Sequence, residues 1–374
     1  MNKNIFQPII SKQIIGVPKE IKNNECRVGL TPKSVSVLSK NNKVFVEKDA
    51  GIAIGFSNQA YIESGAEILD TASDIYDGSE LIVKVKEPLP EENKFLSSKN
   101  ILFTYLHLAG NKENAKDLIS TGVTGIAYET VTADDGSLPL LSPMSKIAGQ
   151  ISLVVGQYFL LKPNKGLGTL LGAIENVSAR EVSVVGAGVA GTEAIKKGLR
   201  SGAHVNVLDI SQNKLDELQQ SFGTENISYI LSNADSISNA ISRSDLVIGS
   251  VYVVGKEAPK VITKEMLKVM KPGSVLVDIS IDQGGCVETS KPTTHDDPVF
   301  IENDVVHYCV TNMPGAVPLT ATLALNQATL PYIEKIANLG VDQALLEDKH
   351  LANGLNMAGG IVKHDSVSAA LNNS

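Results

Sequence analysis

EVSVVGAGVAGTEAIKKGLRSGAHVNVLDI, residues 181–210, decides the fold. An apolar run rich in valine (Val182, Val184, Val185) enters Gly186-Ala187-Gly188-Val189-Ala190-Gly191. A helix-compatible segment follows, then a second β run, Ala203–Leu208, which ends in Asp209. Strand, G-x-G-x-x-G, helix, strand and acid in that order make the dinucleotide-binding fingerprint, whereas the glycines alone would fit a turn in any α/β protein. Gly186 permits the tight turn, Gly188 lets the backbone approach a pyrophosphate, and Gly191 lets the helix pack close on the strand. Val189 joins these glycines as a cofactor-contacting candidate, since the helix N-terminus offers N–H groups and a positive dipole end to phosphates. Asp209 stands where a carboxylate accepts hydrogen bonds from a ribose diol. It would repel a 2′-phosphate and no arginine follows it closely, so NAD is favoured over NADP.

The composition suits a cytoplasmic enzyme. The 374 residues suffice for two domains, with 43% hydrophobic and 20% charged residues to build packed cores. A net charge of −8 argues against nucleic acid or an anionic membrane as partner. Cys26, Cys286 and Cys309 have no metal-ligand spacing and an odd count, which fits a reducing compartment and no bound metal. The opening MNKNIFQPIISK has too short an apolar run for a signal peptide. The apolar segment Met144–Leu161 carries Lys146, Gln150 and Gln157 and is not read as a membrane span.

The fingerprint sits mid-chain, and the residues before it already alternate strand and helix. QIIGVPKE, KVFVEK, SELIVKVKEP, NILFTYLHLAG and GVTGIAYETV read as strands, and Thr31-Pro32 as the N-cap and first residue of a helix reaching Lys40. Ser142-Pro143 is read as capping a long helix over 143–161. After the fingerprint come the strand DLVIGSVYV, a helix TKEMLKVM and the strand SVLVDISI. PGAVPLTATLALNQATLPYIEKI reads as a second long helix leading back to the first domain. The expectation is an α/β protein with two Rossmann-like domains, mainly parallel sheets and long connecting helices. Residues 1–139 and 318–374 would form a substrate domain and 140–317 an inserted NAD-binding domain, with a cleft between them.

Ligands of open parallel sheets bind beyond the carboxyl ends of strands. Lys86 closes the run Leu81–Val85, His107 follows Ile101–Leu106, and Asp282 follows Ser274–Ile281 ahead of Gly284-Gly285. Arg27 lies in the polar loop NNECRVGL, one of only four arginines (with Arg180, Arg200 and Arg243) in a lysine-rich chain. Each has a plainer reading. His107 fits a hydrogen-bonded structural imidazole, Lys86 a solvated strand end beside the equally ordinary Lys84, Asp282 a turn residue, and Arg27 a surface arginine. Taken together, a guanidinium, an amine and an imidazole beside an NAD site suit a small anionic substrate whose carbon gives up a hydride.

GVPKEIKNNECRVGLTP, LIVKVKEP, ILFTYLHLA, LLSPMSKIAG, VGAGVAG with Asp209, VLVDISIDQGGCVETSKPTTHDDPVF and VTNMPGAVPLTAT together resemble NAD-dependent L-alanine dehydrogenase, from about Ile14 almost to the end. The NAD(H)-binding component of nicotinamide nucleotide transhydrogenase is similar in plan, and saccharopine dehydrogenases more distantly so. The resemblance implies reversible oxidative deamination of L-alanine to pyruvate and ammonia, a role in amino-acid catabolism, and a homohexamer. It gives Arg27 the substrate carboxylate, Lys86 the substrate oxygens, and His107 general acid/base work. Asp282 is implied to orient water or ammonia or to share the proton step, Tyr105 to line the pocket, and Asn312 and Met313 to close over substrate and nicotinamide. Ser145, Asp209, Lys214, Val251, Ile279, Asp282 and Asn312 are implied to contact NAD. One departure stands out: GAIENV, residues 172–177, replaces a turn that in the family is rich in glycine and proline. Two other readings stay open, an NAD(H)-binding transhydrogenase subunit and a nucleotide-sensing protein without turnover.

Overall fold

A computed structural model of the chain describes residues 13–108, 110–253 and 257–372. The opening MNKNIFQPIISK, read above for targeting signals, lies outside the described residues, as does Ala109 of the LHLA motif. The chain divides into two compact units, Met1–Pro143 with Val317–Ser374, and Met144–Ala316.

The strands in chain order are β1 (Ile14–Val17), β2 (Lys43–Glu47), β3 (Glu67–Leu69), β4 (Leu81–Val83), β5 (Ile101–Thr104), β6 (Thr124–Ala127), β7 (Glu181–Val185), β8 (His204–Asp209), β9 (Ile227–Leu231), β10 (Leu246–Gly249), β11 (Val275–Asp278), β12 (Val299–Glu302), β13 (Val305–Tyr308), β14 (Leu355–Ala358) and β15 (Ile361–Val362). In the first unit the sheet order is β15-β14-β6-β5-β4-β1-β2-β3. β1 to β6 run parallel, and β14 and β15 add antiparallel pairs at one edge. In the second unit the order is β12-β13-β11-β10-β7-β8-β9, parallel except for the edge strand β12. Without the edge additions, both sheets have the doubly wound order 3-2-1-4-5-6, so each changes direction once, between its first and fourth strands. The expected pair of Rossmann-like sheets is therefore present.

The central strands are buried on both faces, which is why they read as unbroken apolar runs instead of alternating ones. Ile82 and Leu102 pack with Ile75, Leu118 and Met357 in the first unit. Val185, Leu208, Val247 and Leu276 pack with Ile237, Ile241 and Leu267 in the second. Burying each such side chain stabilises the fold by about 1.5–3 kcal/mol.

Several elements end earlier than the sequence pattern suggests. β4 stops at Val83, not Val85: the Lys84 N–H still bonds the Phe103 carbonyl at 3.2 Å, but a carboxylate from another segment takes those of Val85 and Lys86. β5 stops at Thr104, and β11 at Asp278, where a 3₁₀ turn Ile279–Gln283 takes over. Thr31 does cap the helix Pro32–Leu38, its hydroxyl accepting the Ser34 N–H at 3.1 Å. Ser142, read as a cap, is instead the first residue of the helix Ser142–Phe159. GAIENV closes as a tight reversal in which Ile174 and Val177 exchange backbone hydrogen bonds of 3.0 and 2.7 Å. Glu175 takes the left-handed conformation there (φ 48°) that glycine would adopt without strain.

Candidate functional site

In the first unit the site is built where the sheet order reverses, from the loops after β1, β4 and β5. The loop after β1 carries Arg27, which is 2% exposed. Its guanidinium grips Glu25 in a fork, Nε to Oε1 at 2.6 Å and Nη2 to Oε2 at 2.5 Å, and its backbone N–H also reaches Oε1 at 3.1 Å. Arg27 is thus not a surface arginine. Charge-assisted two-point geometry of this kind fixes the plane of the guanidinium. The loop is held from behind by the long helix Pro318–Leu339. Asn326 accepts the Thr31 N–H at 2.7 Å and donates to the Gly29 carbonyl at 2.8 Å, while Thr322 Oγ1 accepts the Val28 N–H at 3.3 Å. Sequence reading saw that helix only as a connector. The roles of Thr322 and Asn326 depend on contacts to residues almost the whole chain away.

Lys86 is buried too, and its carbonyl accepts the Thr104 hydroxyl at 3.0 Å. The strongest departure from the sequence reading is its neighbour. Lys84, taken as an ordinary lysine, is fully buried, with Nζ 2.7 Å from Glu92 Oε1 and 3.3 Å from Glu20 Oε2. Tyr76 donates its hydroxyl to the same Glu92 oxygen at 2.8 Å. The second Glu20 oxygen accepts the N–H groups of Val85 at 2.7 Å and Lys86 at 3.3 Å. Burial pushes the Glu20 carboxyl up, with the Lys84 ammonium opposing it.

His107 is exposed, in the left-handed region (φ 44°), and its ring stacks on Tyr105 with centroids 5.9 Å apart. Tyr105 is itself buried and fixed, its hydroxyl donating to the Leu140 carbonyl at 2.7 Å. Glu87 joins the two loops electrostatically. Burial raises its pKa, but the charges of Lys86, His107 and the Lys22 ammonium 2.5 Å away bring it below the ordinary value of 4.5. A carboxyl with a depressed folded-state pKa contributes stability that is complete above its unfolded pKa and lost as pH falls through the folded one. Glu87→Gln is therefore expected to flatten the fall in melting temperature between pH 5 and about 3. An unchanged acid limb in thermal melts would contradict this.

In the second unit the fingerprint loop follows β7. Gly186 has φ 95°, and a Cβ on Gly191 would collide with the Gly186 carbonyl oxygen, whereas one on Gly188 meets nothing within 4 Å. The helix Val189–Arg200 starts with no side-chain cap on its N–H groups. Asp209, at the end of β8, accepts the Ala187 N–H at 2.8 Å and the Ser211 N–H at 2.9 Å, tying the acid to the glycine loop. Val251 follows β10, and its carbonyl accepts the Ser280 hydroxyl at 2.7 Å beside Ile279. Asp282 lies in the 3₁₀ turn and accepts the Asn312 N–H at 3.2 and 3.4 Å. Asn312 has φ 60° and Met313 behind it is buried. Ser145 sits half-buried in the first turn of Ser142–Phe159. Lys214 pairs with Glu217 at 3.3 Å. Ile210, next to Asp209, is 84% exposed, an apolar side chain that the sequence reading passed over.

The model of the alanine dehydrogenase/PNT N-terminal domain matches residues 16–148, and that of the C-terminal domain matches 152–365. The chain belongs to the alanine dehydrogenase/PNT family. Within this family it is 49% identical over 358 residues to the alanine dehydrogenase of Staphylococcus haemolyticus, covering 95% of each chain. A solved L-alanine dehydrogenase is 46% identical and superposes with a TM-score of 0.91, covering 96% of this chain and 98% of the other. The solved transhydrogenase from Sinorhizobium meliloti is less similar, at 25% identity and a TM-score of 0.79, over 94% and 99% of the two chains. Among the described residues no helix is long and apolar enough to cross a membrane.

Proposed function

We propose that the chain catalyses reversible NAD-dependent oxidative deamination of L-alanine to pyruvate and ammonia. The observation that carries the reading is the set Arg27, Lys86 and His107 on the three loops at the reversal of one Rossmann sheet, in a member of this family. The weaker likeness to a transhydrogenase leaves the subunit reading second.

The second unit's residues fit NAD. The left-handed Gly186, the open side of Gly188 and the uncapped helix at Val189 suit a pyrophosphate, and Asp209 with exposed Ile210 suits an adenosine ribose and its base. Ser145, Lys214, Val251, Ile279 and Asn312 complete the proposed contacts. When bound, NAD would supply the acceptor for a hydride from the substrate Cα. The protein's own groups do the rest. Arg27, held flat by Glu25, and Lys86 bind the substrate carboxylate and oxygen. His107 moves the proton as water adds and ammonia leaves, with Tyr105 backing its ring. Asp282 orients the water or ammonia, and its bond to the Asn312 N–H couples it to the Asn312–Met313 loop. The amine must be neutral to release a hydride, so deamination favours alkaline pH.

NADH oxidation that requires pyruvate and ammonium together is the expected activity. Oxidation with neither required, or none with both, would reject the reading. Asp209→Ala is expected to weaken NAD binding and to relax discrimination against NADP, read as the ratio of kcat/KM for the two cofactors. An unchanged ratio would mean that another residue reads the ribose.

The chain is also proposed to form a homohexamer. Gln157, Leu170 and Ile174 line one groove, and Leu170, Ile174, Val177, Tyr158 (56% exposed), Val154 and Leu161 are all exposed. Large exposed apolar side chains in and around such a groove suit an association face. Light scattering should give a mass several times the 39.7 kDa of one chain, and Tyr158→Asp should lower it. A wild-type mass of one chain would contradict the proposal.

A further inference from the structure

We propose that Glu129 is a positioning residue for His107, holding the backbone in the conformation that presents the imidazole. The proposal rests on the proton-transfer role given to His107 above. His107 adopts φ 44°, a left-handed conformation that a side chain adopts at a cost unless its surroundings enforce it. Glu129, in the turn after the neighbouring strand β6, supplies that enforcement. Its Oε1 accepts the His107 N–H at 2.7 Å and the Leu106 N–H at 3.1 Å, and Oε2 lies 3.3 Å from the Leu106 nitrogen. One carboxylate therefore receives two successive N–H groups at the point where β5 has stopped pairing. The Gly110 N–H, bonded to the His107 carbonyl at 2.9 Å, closes the other side of the turn.

The same device recurs at the other two substrate-side positions of the unit. Glu20 accepts the N–H groups of Val85 and Lys86, and Glu25 accepts that of Arg27. In all three cases a glutamate bonds the backbone N–H of the functional residue, and for Lys86 and His107 it also bonds the residue before. For Lys86 and His107 the carboxylates take backbone N–H groups just past the ends of β4 and β5, where the ladder no longer holds them. Glu129 is the most testable of the three, because it is only partly buried and, among the described residues, has no ion pair that its replacement would strand.

The test compares Glu129→Gln, Glu129→Ala and Glu129→Asp with wild type, each also in a His107→Ala background. An amide oxygen still accepts both N–H groups, so Glu129→Gln is expected within about threefold of wild-type kcat. Glu129→Ala loses the acceptor and Glu129→Asp shortens its reach, and both are expected to lower kcat by about tenfold or more while the NADH dissociation constant stays unchanged. In the His107→Ala background the same replacements should cost almost nothing further, since there is no imidazole left to position. If Glu129→Ala proves too unstable to assay, the order of Gln above Asp decides alone. Glu129→Gln as slow as Glu129→Ala, or losses that multiply with His107→Ala, would overturn the proposal. Wild-type turnover by His107→Ala itself would instead overturn the role of His107, a separate result.

Discussion

His107→Ala is expected to lower kcat by about 10²–10⁴-fold, the usual contribution of a general acid/base. The imidazole stands exposed at the end of β5, backed by the Tyr105 ring, on a left-handed residue. The imidazole is assigned to the proton step and the fingerprint loop of the other unit to the cofactor phosphates, so NADH binding should stay near wild type in a fluorescence titration. The pH profile of kcat/KM should lose the limb that this group sets. Retention of most of the activity with the same profile would transfer the proton step to Asp282 or Lys86. Collapse of NADH binding as well would make His107 a structural residue.

Lys84→Met is expected to cost about 3–5 kcal/mol of stability, because it leaves Glu20 and Glu92 buried without their common counter-ion. The sign of its pH dependence follows from Glu20. Its folded-state pKa is already raised by burial, and without Lys84 it rises further. A carboxyl that binds its proton more tightly when folded destabilises at neutral pH, and the deficit shrinks as pH falls through that raised value. Denaturant unfolding at pH 7 and pH 5 should therefore show a larger loss at pH 7. Glu20 also receives the Lys86 N–H, so pyruvate KM should rise in the same variant. No loss would mean that the pair contributes little net stability, and an equal loss at both pH values would mean that Glu20 does not set the pH dependence.

The two lysines of KVKEP show how far the sequence can be read. Their spacing puts both near a strand end, but which is buried in an ion-pair network depends on Glu20 and Glu92, which come from other segments. No local pattern encodes that. The glycine fingerprint was legible because each glycine answers a local steric demand, as the left-handed Gly186 and the close approach at Gly191 illustrate. The reading of β4 and β5 ran past their ends for the opposite reason. The apolar pattern continues through Val85 and Leu106, yet the N–H groups there bond to glutamate side chains from distant loops. The edge strands β14 and β15 have no clear sequence signal because they are short and owe their place to pairing, β14 with β6 and β15 with β14. The rarity of arginine singles out Arg27, which is buried, but not its partner Glu25, two residues away, since a lone glutamate in a polar loop has no distinguishing spacing.

The most direct measurement is isotopic. With L-alanine deuterated at Cα and NAD, mass spectrometry of the products should find deuterium on the reduced cofactor, with pyruvate and ammonium formed in equal amounts. Unlabelled NADH, or alanine left unconsumed while the protein binds NADH normally, would contradict the account.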